Sequence, residues 1–131
     1  MTPATRVLIV EDHPESAEML TRRLVRRGFA VVTATNGMAA LQCIQQQRPD
    51  VILMDVSLPV IDGLEITRRL KHDGATRGIP VIALTAHAMC SDRDRARAAG
   101  CDEFETKPVQ FVQLLAKVDS LLADRSHGAD A

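Results

Sequence analysis

Five polar side chains in this sequence stand where they could do chemistry together: Glu11, Asp12, Asp55, Thr85 and Lys107. Each lies at or just after the end of a segment that is typical of a β-strand. A carboxylate at the end of a buried strand is costly to desolvate, so it either caps a turn or faces a ligand. Grouped carboxylates suit a hard divalent cation, and a carboxylate can attack phosphorus while a lysine and a hydroxyl hold the phosphoryl oxygens. The residue types therefore indicate phosphoryl transfer, provided that the fold brings them together.

Strand-like and helix-like segments alternate five times along the chain. The predicted strands span residues 6–10, 30–34, 51–55, 79–85 and 101–106. The predicted helices span residues 14–27, 38–47 and 64–72, then a segment that starts from a cap at Ser91 and runs to Ala99, and finally residues 109–123. Such alternation is typical of a parallel sheet with helices on both faces. Since the first, third and fourth strands are the most apolar, we predict an α/β fold, a flavodoxin-like (βα)5 doubly wound sheet with strand order 2-1-3-4-5.

Short motifs mark the ends of the predicted helices. Asp62 and Ser91 are each followed three residues later by an acidic residue, so both are predicted N-caps. Gly28 and Gly100 follow the first and fourth helices and are predicted to end them.

The predicted topology brings the polar residues together. In open α/β sheets, ligand sites lie outside the carboxyl ends of the strands, where the strand order reverses, here between strands 1 and 3. Glu11 and Asp12 follow strand 1 and Asp55 ends strand 3, so we expect three carboxylates in one crevice. Mg²⁺ would relieve their mutual repulsion and leave room for a phosphate. Thr85 and Lys107 end or follow strands 4 and 5 at the same rim and could hold phosphoryl oxygens.

The composition excludes several classes of protein. The chain has 131 residues, enough for one domain, which we expect to span residues 5–123 ahead of a flexible polar tail, residues 124–131. Its formal net charge of −1 gives no case for a nucleic-acid or membrane partner. It has no Trp or Tyr and three Phe, which disfavours base stacking or a flavin between aromatic rings. Because no long apolar run suggests a signal or a membrane span, we expect a cytoplasmic protein.

The cysteines and histidines indicate no second site. The three cysteines form no C-x-x-C pair, so we interpret them as reduced residues packed like small hydrophobes: Cys43, Cys90 and Cys101. The four histidines show no ligand spacing and are interpreted as surface residues: His13, His72, His87 and His127.

Four motifs, in this order and spacing, resemble a known family. RVLIVED, VILMDVSLPVIDGLE, IPVIALTA and FETKPV are similar to the motifs of response-regulator receiver domains of the CheY-like superfamily, over roughly residues 5–123. The resemblance implies two-component signal transduction, in which Asp55 takes a phosphoryl group from a histidine kinase or a histidine phosphotransfer protein. It also implies that Mg²⁺ is bound by Glu11, Asp12, Asp55 and the backbone carbonyl of Ser57.

The resemblance implies further roles residue by residue. Thr85 would be the switch hydroxyl, Lys107 the phosphate-contacting lysine and Pro108 the residue after a cis peptide bond. Phe104 stands at the switch aromatic, where the family commonly has Tyr. Ser57 and His87 occupy the variable positions that tune the lifetime of the phosphate, two residues after Asp55 and after Thr85.

The implied output is binding rather than catalysis. Phosphorylation would switch the face formed by helix 4, strand 5 and helix 5, which would then bind an effector protein or relay the phosphate. Enzymatic activity would be limited to self-phosphorylation from small donors and autodephosphorylation. The segment TAHAM and the lack of an output domain resemble hybrid-kinase receivers and single-domain regulators. We expect a monomer and leave dimerisation on phosphorylation open.

Three alternatives remain at this point. A phosphatase of the haloacid-dehalogenase type needs a second acid two residues after its nucleophile, where this chain has Ser57. A flavin-binding electron carrier needs a phosphate-cradling loop after strand 1, where this chain has the acidic EDHPE of residues 11–15. A pseudo-receiver, which docks partners without being phosphorylated, is the strongest competitor, although the intact set of polar residues argues against it.

Overall fold

A computed structural model of the chain describes residues 4–58, 61–86 and 90–129, without the side chains of residues 90 and 125–129. Its strands are β1 (Arg6–Val10), β2 (Ala30–Ala34), β3 (Val51–Asp55), β4 (Val81–Thr85) and β5 (Glu103–Thr106). Its helices are α1 (Pro14–Arg26), α2 (Gly37–Gln46), α3 (Gly63–His72), α4 (Cys90–Ala99) and α5 (Phe111–Ala129). Among the residues singled out above, His87 and the side chains of Cys90 and His127 lie outside this description.

The five strands form one parallel sheet in the order β2-β1-β3-β4-β5, as predicted. All five residues of β3 and of β4 are buried, and so are the last four of β1. The edge strands β2 and β5 each have exposed residues. Because helices cover both faces of the sheet, only strands that are apolar on both faces can occupy its centre.

Each face of the sheet packs its own hydrophobic core. Leu8, Ile52 and Met54 pack with residues of α2 and α3 on one face. On the other face, Ile9 and Leu53 pack with residues of α1 and α5. Successive residues of a strand point to opposite faces, so a continuous apolar strand supplies both cores. Burial of each such side chain contributes about 1.5–3 kcal/mol to folding.

The helix ends agree with the predicted motifs, including Gly100 with a φ of +103° after α4, except at the start of α4. The Asp62 side chain accepts a hydrogen bond from the Glu65 N–H at 2.9 Å, as a capping residue does. After α1, Gly28 has a φ of +91°, a left-handed conformation that few residues other than glycine adopt. The Ser91 prediction is wrong, because α4 already begins at Cys90 and Ser91 lies inside its first turn. A Ser–x–x–Asp pattern occurs within helices as well as at their starts, so the motif alone does not fix the boundary.

Several other boundaries differ from the predictions, those of α1, α2 and α3 by one residue and the start of α5 by two. β4 begins at Val81 rather than at residue 79, because Pro80 has no N–H to donate to a neighbouring strand. β5 begins at Glu103, since the Asp102 carboxylate instead accepts the Val81 N–H at 2.8 Å. α5 continues to Ala129, beyond the predicted end at residue 123, because no proline or glycine interrupts residues 124–127. The flexibility of residues 124–131 stays a prediction. In the described part of the chain, no helix has the length and apolarity to cross a membrane.

Candidate functional site

Strands β1 and β3 bring three carboxylates to one edge of the sheet. β1 and β3 are parallel neighbours in which Val10 pairs with Met54, so Glu11 and Asp55 follow at the same level. One ligand atom each from Glu11, Asp12 and Asp55, together with one from His13, all lie within 4.8 Å of one another. The predicted convergence of the acids is confirmed by this geometry.

The backbone around Asp55 fixes the position of its side chain. The Ser57 N–H donates a hydrogen bond to Asp55 Oδ1 at 3.0 Å. Gly63, the first residue of α3, lies so close to the end of β3 that a Cβ atom there would clash with the Asp55 carbonyl oxygen. The glycine therefore allows α3 to start directly behind the carboxylate.

Lys107 bridges two of the carboxylates. Its Nζ lies 2.9 Å from Glu11 Oε1 and 3.3 Å from Asp55 Oδ2. The ammonium approaches from β5, where the Lys107 N–H donates to the Thr85 carbonyl at 2.7 Å, and the Lys107–Pro108 peptide bond is cis. Burial lowers the pKa of Lys107, but the hydrogen bond to Glu11 and the charge of Asp55 outweigh it and raise the pKa overall. Lys107 is therefore a fixed positive charge at the site.

The two buried carboxyl groups have pKa values shifted in opposite directions. Glu11 is 2% exposed and Asp55 is 1% exposed. The pKa of Glu11 is raised, mainly by burial and next by the neighbouring Asp55, and Lys107 lowers it by less than these two raise it. Burial also pushes the pKa of Asp55 upward, but hydrogen bonds from Glu11 and the Ser57 N–H, with the charge of Lys107, lower it overall. Asp55 is thus the group kept ionised, as a nucleophile requires.

Thr85, Phe104 and Pro108 lie on the adjacent strands and at their ends. Asp55 pairs with Leu84 across β3 and β4, so buried Thr85 follows one residue further along the same edge. Phe104, in β5, is half-buried beside α4, and the guanidinium of Arg93 lies 5.5 Å from the centre of its ring. Pro108 is exposed directly after the site lysine.

His13 belongs to the site, which the sequence analysis missed. Its Nδ1 lies 3.2 Å from Asp12 Oδ1 and 3.7 Å from Glu11 Oε2. The prediction of a surface residue holds for the side chain, which is 70% exposed, but the ring edge faces the acids. A search for paired histidines or cysteines cannot find such a residue. The available signal was its position directly after the acidic pair.

The carboxylates fit a divalent cation. Glu11 Oε2, Asp12 Oδ1 and Asp55 Oδ2 are buried without a hydrogen-bond partner. A single ammonium faces three carboxylates, so repulsion among them is only partly offset. Closely spaced oxygens that lack donors are the environment that Mg²⁺ and related ions satisfy.

Outside this cluster, Cys43 and Cys101 are free. Burial raises the pKa of the Cys101 thiol to about 11, which keeps the thiol protonated and agrees with its predicted packing role.

Comparisons with known proteins agree with the fold. The family described as "Response regulator receiver domain" matches residues 7–119. Polar-differentiation response regulator DivK of Brucella anthropi is 39% identical over 118 residues, which cover 90% of this chain and 96% of that protein. The signal receiver domain of a signal transduction histidine kinase from Syntrophus aciditrophicus has a TM-score of 0.86 and 39% identity, covering 92% of each chain.

A further solved structure bears on the metal. The receiver domain of a sensor histidine kinase from Pseudomonas aeruginosa PAO1 has a TM-score of 0.85 and 32% identity, covering 92% of this chain and 99% of that chain. In that protein a magnesium ion is coordinated in the active site cleft.

The fold and the relatives together define a signalling module of the two-component type, a class of domain that is generally not enzymatic. The chain belongs to the response regulator receiver domain family, as its four motifs indicated. This membership sets aside the phosphatase and the flavin-carrier alternatives. The pseudo-receiver alternative concerns phosphorylation itself and is taken up below.

Proposed function

We propose that this receiver domain, residues 5–123, accepts a phosphoryl group on Asp55. The observation that carries the proposal is a buried carboxylate 3.3 Å from a lysine ammonium, in a cluster with Glu11 and Asp12 whose buried oxygens lack hydrogen-bond partners and could hold a cation. A docking module that is never phosphorylated has no need for this arrangement, which costs stability.

In the proposed reaction, a lone pair of the Asp55 carboxylate attacks the phosphorus of a phosphohistidine. The new P–O bond forms as the P–N bond breaks, and the electron pair of that bond returns to the imidazole of the donor. The Ser57 N–H holds Oδ1, so Oδ2, on the side of Lys107, is the oxygen free to attack. The lowered pKa of Asp55 supports this step, since only the ionised carboxylate is a nucleophile.

Glu11, Asp12, Asp55 and the backbone carbonyl of Ser57 would hold Mg²⁺, which supplies positive charge to the phosphoryl oxygens when it is bound. The ammonium of Lys107 would leave Glu11 to contact a phosphoryl oxygen, and Thr85 would donate its hydroxyl to another. Both residues then stabilise charge that develops during transfer.

The phosphoryl group would act as a switch on the neighbouring elements. When Thr85 turns toward the phosphate, Phe104 can fill the space that it leaves, which changes the face formed by α4, β5 and α5. We propose Thr85, Phe104 and Pro108 as the residues that respond. Ser57 and His87 would set how long the phosphate persists.

The proposed partners follow from this chemistry. A histidine kinase or a histidine phosphotransfer protein would supply the phosphoryl group, and an effector protein or a further relay protein would read the changed face. The relatives support this assignment, since one is a response regulator and others are receiver domains of histidine kinases.

The test uses a small phosphodonor with Mg²⁺ and intact-protein mass spectrometry. We expect one phosphoryl group on the wild-type chain and none on Asp55→Asn. Asp119→Asn, on the exposed face of α5, is the matched control and should be labelled like wild type. Stoichiometric labelling of Asp55→Asn would show that the acceptor is another residue. A wild-type chain that takes label neither from the donor nor from a phosphorylated kinase would favour the pseudo-receiver alternative.

A further inference from the structure

We propose that His13 is a nitrogen ligand of the cation site and makes this site favour Ni²⁺ and Zn²⁺ over Mg²⁺. The inference rests on the proposed metal site and adds to it a residue that determines which metal is preferred. It starts from the position of Nδ1, which lies 3.2 Å from Asp12 Oδ1 and 3.7 Å from Glu11 Oε2.

The backbone presents His13 to the site rather than to the helix that it precedes. His13 is the N-cap residue of α1, in an extended conformation, and its side chain makes no capping hydrogen bond. Pro14 occupies the first helical position and has no N–H to offer the ring. The imidazole is therefore not needed to cap the helix, and its side chain is 70% exposed.

Two buried oxygens beside the ring point to a ligand independently of the histidine. Glu11 Oε2 and Asp55 Oδ2 belong to the two buried carboxylates described above, and neither oxygen has a hydrogen-bond partner. An ion that satisfies these oxygens would stand beside the imidazole, because Nδ1 lies 3.7 Å from Glu11 Oε2 and one ligand atom each of Glu11, Asp12, His13 and Asp55 lie within 4.8 Å of one another. The same location thus offers carboxylate oxygens and one imidazole nitrogen.

The mixture of donors determines the preferred metal. Carboxylates, carbonyls and water suit Mg²⁺, whereas imidazole suits Ni²⁺ and Zn²⁺. Divalent transition metals also bind a given nitrogen and oxygen site more tightly toward the end of their series. A site with all-oxygen ligands would lack the selective contribution of the nitrogen, so His13 should raise the affinity for Ni²⁺ much more than that for Mg²⁺.

The test is isothermal titration of the tag-free chain with Ni²⁺ and, separately, with Mg²⁺ at about pH 8, where an ordinary histidine is neutral. The variant is His13→Asn, which keeps a polar side chain that suits an N-cap. His72→Asn, the same change at an exposed histidine of α3, is the matched control. We expect His13→Asn to lose about tenfold or more in Ni²⁺ affinity with a much smaller change for Mg²⁺, and His72→Asn to match wild type.

An unchanged ratio of Ni²⁺ to Mg²⁺ affinity in His13→Asn would overturn the proposal, because a histidine that only lies beside the site, without donating its nitrogen to the metal, does not distinguish the two ions. Asp12→Asn separates this failure from failure of the metal site itself. If the site is the proposed one, Asp12→Asn weakens the binding of both metals. If Asp12→Asn binds both metals like wild type, the site and the role of His13 are both wrong.

Discussion

Replacing Lys107 by Met should destabilise the metal-free protein and increase its response to Mg²⁺. The variant keeps the length of the side chain and removes the ammonium that lies 2.9 Å from Glu11 and 3.3 Å from Asp55. Removal of one partner from a buried ion pair costs about 3–5 kcal/mol. Because the Lys107 side chain is 25% exposed and solvent screens part of the interaction, we expect a loss of about 2–3 kcal/mol in the free energy of unfolding.

The response to Mg²⁺ distinguishes a role in the site from a role in the fold. A ligand at 100 times its dissociation constant stabilises a protein by about 2.7 kcal/mol. Without the ammonium, the carboxylates should bind Mg²⁺ more tightly, and a tenfold tighter site adds about 1.4 kcal/mol at the same Mg²⁺ concentration. The assay is urea unfolding followed by circular dichroism, with and without Mg²⁺, because the chain has no Trp or Tyr for fluorescence.

Lys117→Met is the matched control. Lys117 Nζ lies 2.6 Å from Glu105 Oε2, and the Glu105 side chain is 4% exposed, so this pair has the same chemistry away from the metal site. Both variants should lose stability, but the increment from Mg²⁺ should equal that of wild type in Lys117→Met and exceed it in Lys107→Met. If Mg²⁺ stabilises the two variants equally, the idea that Lys107 and the cation compete for the same carboxylates is wrong.

Two further outcomes follow from the structure. The pKa of Glu11 is raised above 4.5, so the folded state keeps the Glu11 proton to a higher pH than the unfolded state does. The free energy of unfolding of wild type, relative to that of Glu11→Gln, should therefore fall as the pH rises from 4.5 toward neutral. If urea unfolding shows that this difference rises over the same range, the raised pKa of Glu11 is wrong. Asp55, with a pKa below 3.8, and Lys107, above 10.5, do not titrate in that window. Asp62→Ala should lower the free energy of unfolding by about 1 kcal/mol, since it removes the hydrogen bond that Asp62 accepts from the Glu65 N–H, and a thermal melt beside wild type measures the loss.

The parts of the fold that the sequence predicted are those fixed by burial. A strand such as β3, with five buried residues, has one place in the sheet, because only the centre is covered on both faces. Once β1 and β3 are neighbours, the meeting of Glu11 and Asp55 follows from the direction of parallel strands. The site could thus be located from the order of the strands, without any information on side-chain conformation.

The parts that were missed depend on local conformation. The place of His13 Nδ1 follows from the extended backbone of the N-cap, which sequence spacing does not encode. The end of α5 was misplaced because polar residues continue a helix as readily as they end one. The contact between Lys107 and Glu11 was also not predicted. The position of Lys107 after strand 5 indicated a phosphate contact, whereas its partner without phosphate depends on the side-chain conformation.

Two buried glutamates show why burial alone does not identify the site. Glu105 and Glu11 each accept a hydrogen bond from a lysine, at 2.6 Å from Lys117 and at 2.9 Å from Lys107. In the described part of the chain, the buried side-chain oxygens without a partner belong to Glu11, Asp12 and Asp55, and none belongs to Glu105. Lys117 therefore satisfies Glu105 without any further ligand, and this pair has a structural role. The oxygens of the acidic cluster lack hydrogen-bond donors, so a cation can lower the free energy there by binding, and a bound cation would then attract the oxygens of a phosphoryl group. This difference makes the acidic cluster, and not the Glu105 pair, the candidate signalling site.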